Sequence, residues 1–101
     1  MSSVRESLAE DINQLFEQDL PEKAKKEGSY PVVYGHCFRR LAYDNACEGH
    51  WKDKVPPPFI KNAPIQMLVR VLKCGNHMFL SSVYAHKLQD KSLRFRGHKA
   101  V

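Results

Sequence analysis

Apolar residues at Val4, Leu8, Ile12, Leu15 and Phe16 recur at steps of four, four, three and one. That spacing draws one stripe along a helix of 3.6 residues per turn. Ser3 and Glu6 in front of it form an S-x-x-E capping box. The pattern predicts a first helix over 4–19, ended or kinked at Leu20-Pro21 because proline disfavours helix at the residue before it. The following PEKAKKEGSYP mixes charges with Pro, Gly and Ser and shows no apolar face, so it reads as a linker.

A second helix is predicted over 36–48, with Phe38, Leu41, Ala42 and Asn45 on one face and Cys37 at its edge. Arg40 and Asp44 stand four apart, the spacing of a surface ion pair. Gly49 is a C-terminal stop, and Trp51 reads as a plug for the corner of the core. Pro56, Pro57 and Pro58 then predict an extended strap, with Val55, Phe59 and Ile60 turned inward.

Asn62 as a cap, with Pro64 in the first turn, opens a third helix over 63–73. Ile65, Leu68, Val69 and Leu72 form its stripe, and Gly75 stops it. Asn76 caps a fourth helix over 76–90 with Phe79, Leu80, Val83, Tyr84 and Leu88 as its buried face. The rival for 67–84 is a β-hairpin, because MLVRVLK and MFLSSVY are rich in strand-forming residues. The capped start and the stripe favour helices. Residues 91–101 remain as a basic tail that carries little of the core. The fold class is thus all-α, one domain of three to four helices with a Pro-rich strap. Its core is Leu8, Ile12, Leu15, Phe16, Phe38, Leu41, Trp51, Phe59, Leu68, Leu72, Val83 and Leu88.

Length and composition agree with this picture. A chain of 101 residues with 43% hydrophobic and 27% charged residues is one globular domain. The N-terminus lacks the apolar core of a secretory signal, and no apolar run approaches the ~20 residues of a membrane span. The chain reads as an intracellular, soluble protein of cytoplasm or nucleus, so its three cysteines are free thiols or metal ligands.

Charge adds a polarity. Residues 1–20 hold Arg5 against five acids, a net of −4, whereas residues 54–101 hold nine Lys or Arg against Asp90, a net of +8. A basic rear half calls for an anionic partner, or for the acidic head to fold over it.

Three chemistries compete. Arg39, Arg40 and Tyr43 in the second helix, and Arg94, Phe95 and Arg96 in the tail, interleave guanidinium groups with rings, as phosphate contact and base stacking require. No RNP element, GXXG loop or complete zinc finger accompanies them, and a helix-turn-helix across the third and fourth helices is open. Second, Cys47 with His50 and Cys74 with His77 repeat a C-x2-H spacing, and two such pairs supply the four ligands of one structural zinc. Third, His36, Cys37 and Asp44 hold the residue types of a thiol nucleophile and its helpers. Neighbours on a helix point about 100° apart, so His36 is badly aimed at Cys37. No nucleotide-binding loop or hydrolase motif is present. The expectation is therefore a non-catalytic binding protein that contacts nucleic acid or a nucleoprotein. The alternative is an adaptor for a protein partner, with or without the zinc.

Overall fold

The computed structural model describes residues 3–97. Helix α1 (Val4–Gln14) begins as predicted, with the Ser3 side chain accepting from the Glu6 backbone N–H. It does not end at Leu20-Pro21. The rod passes through one π turn (Leu15–Asp19) into α2 (Leu20–Glu27), where Gly28 stops it at φ 69°. The physical reason lies in the proline. Pro21 has no N–H to give and its ring crowds the turn before it. The π turn widens that stretch, with Leu20 N–H reaching back five residues to Leu15 O. Leu20, Pro21 and Ala24 are all buried, so the supposed linker carries an apolar face.

Helix α3 (Gly35–Cys47) follows, then a 3-10 turn (Trp51–Asp53), one helical turn α4 (Phe59–Asn62), α5 (Ile65–Leu80) and α6 (Ser82–Phe95). The all-α class holds, with more helical segments than three or four and no strand among the described residues. No helix among these residues is long and apolar enough to cross a membrane.

The extended strap is not found. Residues 54–58 bend between the 3-10 turn and α4, with Val55 N–H bonded to Trp51 O. The bend lets Phe59 stack on Tyr43 at 3.8 Å between centroids, with Trp51 edge-on at 5.5 Å from each. Burying three rings in contact outweighs the extended preference of the proline run.

Gly75 stops nothing. It lies buried inside α5, where a Cβ would sit 2.6 Å from Leu15 Cδ2 and 2.8 Å from the Phe16 ring. Its bareness is thus what lets α5 close on the π turn. Asn76 is an exposed residue within α5, and Asn62 donates to Pro56 O instead of opening a helix. The cap of α6 is Ser81, whose hydroxyl accepts from Tyr84 N–H. That shift in the helix start turns Leu80 and Val83 outward, each 78% exposed, and removes Val83 from the expected core. Ile12, Leu15, Phe16, Phe38, Leu41, Phe59, Leu68 and Leu88 are buried, and Leu8, Trp51 and Leu72 pack against them half-buried.

Helices α3 and α5 pack together at the centre, α1 lies against α5, and α6 lies against α3 and α5. Polar ties close the ends. Tyr30 Oη donates to Met78 O at 2.7 Å, and Lys23 Nζ donates to Phe79 O, so both cap the end of α5. Arg5 donates to Ile60 O and Ala63 O at 2.7 Å, closing α4 onto α1.

Candidate functional site

The last turns of α3 and α6 meet around Asp44, which is fully buried. Its Oδ1 accepts from Trp51 N–H at 3.0 Å and from Arg96 Nη2 at 3.2 Å. Its Oδ2 accepts from Ser92 Oγ at 2.6 Å and Arg96 Nε at 2.7 Å. The expected pair of Arg40 with Asp44 is therefore replaced: Arg96 takes the carboxylate, and Arg40 donates to Gln89 on α6. Residues 91–95 are helix rather than tail, and Arg96 fastens them to the body; residues 98–101 lie outside the described part.

Above this latch a cleft of about 390 Å³ opens, lined by Asn45, Glu48, Lys91, Arg94 and Phe95. Asn45 Nδ2 donates to Leu41 O at 2.7 Å and Leu88 O at 3.1 Å, which holds the amide and leaves its Oδ1 as an acceptor. Glu48 follows α3 in the left-handed region, at φ 54° and ψ 43°. Lys87, Lys91 and Arg94 are exposed at steps of four and three, one stripe along the outside of α6.

The six residues expected to contact nucleic acid are not gathered in one place. Arg94 and Phe95 line the cleft. Arg96 is spent on Asp44. Arg39 donates to Asn13 Oδ1 at 2.7 Å, Glu17 Oε1 at 2.8 Å and Tyr43 Oη at 2.9 Å, which ties α3 to α1 and the π turn. Tyr43 is buried against Phe59 and offers no free face. Lys87, Lys91, Asn45 and Glu48 were absent from the expectation. The lysines had a signal, since 87, 91 and 94 keep helical spacing once α6 is carried past Asp90.

The zinc expectation meets no support. Among the described residues no group of three or more His, Cys, Asp or Glu side chains is placed to hold a metal ion. Cys47 Sγ lies 3.5 Å from Met67 Sδ, and burial with the nearby Asp44 carboxylate pushes its thiol up. Burial also raises the Cys74 thiol, against the opposing pull of a hydrogen bond with Tyr84 and of Lys91. His77 stacks on the Tyr84 ring at 3.6 Å. Cys47 on Met67 and His77 on Tyr84 are thus taken up in separate contacts, and among the described residues the two C-x2-H pairs form no group of three or more ligands.

No protein-family model, curated protein or solved structure matches this chain.

Proposed function

We propose that the chain is a small non-catalytic binding protein that contacts nucleic acid, alone or within a nucleoprotein, through α6. What supports this reading is the exposed stripe of Lys87, Lys91 and Arg94 running beside the half-buried Phe95 ring. Three cations spaced along one helix suit successive phosphates, and a ring beside them suits an unpaired base. Arg39, Arg40 and Arg96 belong to the fold in this reading, because each already donates to another side chain.

The test is the salt dependence of binding to a short single strand. Each phosphate contact contributes about −0.7 to the slope of log affinity against log salt on single strands. Replacing Lys91 and Arg94 together by alanine should flatten that slope by about 1.4 under the same relation. A slope unchanged by the replacement removes α6 as the contact face. A protein that binds no strand at low salt leaves the adaptor reading, which the outward Leu80 and Val83 at the α5–α6 corner favour.

A further inference from the structure

The cleft beside the stripe pairs groups of opposite character. Glu48 brings a carboxylate, Asn45 an amide oxygen, Lys91 and Arg94 two cations, and Phe95 an aromatic surface. None of the ion pairs among the described residues joins Glu48 to Lys91 or Arg94. Among the described residues the carboxylate and the cations of the cleft are therefore not joined in an ion pair.

Glu48 is also in the wrong backbone for its type. A side chain in the left-handed region costs roughly 1–2 kcal/mol, which is why glycine dominates at helix C-termini. Here glycine comes one residue later, at Gly49, and the acid takes the strained position. An acid beside Lys91 and Arg94 also weakens phosphate binding. The left-handed turn closes α3, with Glu48 N–H on Asn45 O at 3.3 Å and Gly49 N–H on Asp44 O at 3.1 Å, but the carboxylate itself takes part in no ion pair among the described residues.

Resting on the nucleic-acid reading above, the geometry points to a pocket for one unpaired guanine. Among the four bases only guanine presents two adjacent donors on its Watson–Crick edge, N1–H and the N2 amino group. A carboxylate can take both at once. Guanine O6 and N7 are acceptors that suit Arg94 or Lys91. The Phe95 ring supplies the stacking surface and the outer cations hold the flanking phosphates. Adenine and cytosine offer the carboxylate a single amino group, and thymine one ring N–H between two carbonyl oxygens. The cleft volume falls in the range of roughly 300–1,000 Å³ usual for small-molecule pockets.

The experiment compares short thymidine strands that carry one central guanine, adenine or thymine, by fluorescence anisotropy at one low salt concentration. Guanine should bind about tenfold more tightly than thymine, the size of a good bidentate base contact. Adenine should gain far less, because purine stacking alone does not read the donor pair. Glu48→Gly should abolish the guanine preference while binding of the all-thymine strand is kept or strengthened, and its thermal midpoint should not fall, since glycine relaxes the backbone. Equal affinity for guanine and adenine strands overturns the pocket and leaves the α6 reading standing. So does a guanine preference that survives Glu48→Gly. Failure to bind any strand overturns both.

Discussion

A carboxylate with no exposed surface needs every lone pair answered, and Asp44 has that from Trp51, Ser92 and Arg96. Removing one partner of such a pair costs more than the pair gains over an apolar core, because the remaining charge stays buried. The Arg96 side chain is 23% exposed, so water softens the effect on its side. Arg96→Ala should destabilise the protein by about 2–3 kcal/mol, read from urea midpoints with Lys87→Ala as the exposed control. Equal shifts in the two variants would mean that the latch does not hold α6. Nothing in the spacing of the sequence singled out this pair. Asp44 has a nearer cation at Arg40, one helical turn away, and the choice of Arg96 depends on where α6 crosses α3. Local spacing finds candidates within one helix; a contact between residues 52 positions apart follows from packing alone.

At the scale of elements, the stripes of α1, α3 and α5 were legible because amphipathic periodicity is written in each helix separately. The stops were not. Pro21 and Gly75 punctuate in isolation, yet here both lie inside helical rods. The π turn accommodates the first. The second is the point where α5 meets Leu15 and Phe16, and Gly35 at the start of α3 meets the same turn from another side, where a Cβ would lie 2.7 Å from Phe16 O. Two helices thus approach one widened turn through bare glycines. Gly75→Ala gains up to about 1 kcal/mol of helix propensity. It also forces the Phe16 ring and Leu15 methyl aside, an overpacking of about 1–3 kcal/mol. A net loss of stability is expected in thermal melts. Gly35→Ala should cost more than Gly75→Ala, because a backbone carbonyl cannot turn away as a side chain does. The reverse order would place the tight contact elsewhere.

Across the whole molecule the charge polarity of the sequence acquires a geometry. The described chain measures 44 × 30 × 17 Å. Acidic α1 packs on α5, and basic α6 packs on α3 and α5, so the central helices lie between them. Composition alone left two choices, an anionic partner for the basic half or the acidic head folded over it. The packing order, with α1 and α6 each laid on α5, speaks against the head covering the basic half. The candidate site shared this fate: its cations were legible as a basic half, while Glu48 and Asn45 had no signal until the ends of α3 and α6 met. Separation has a measurable consequence. The Debye length is about 8 Å at physiological salt and about 30 Å at 0.01 M. Replacing exposed Glu6 and Glu10 together by glutamine should leave single-strand affinity at physiological salt within about twofold of the parent, since screening spans the gap. At low salt the same variant should bind measurably tighter and associate faster, because the acidic end then repels the approaching strand. A large gain already at physiological salt would mean that the acids of α1 reach the α6 face directly and that the head shields the site it was thought to stand clear of.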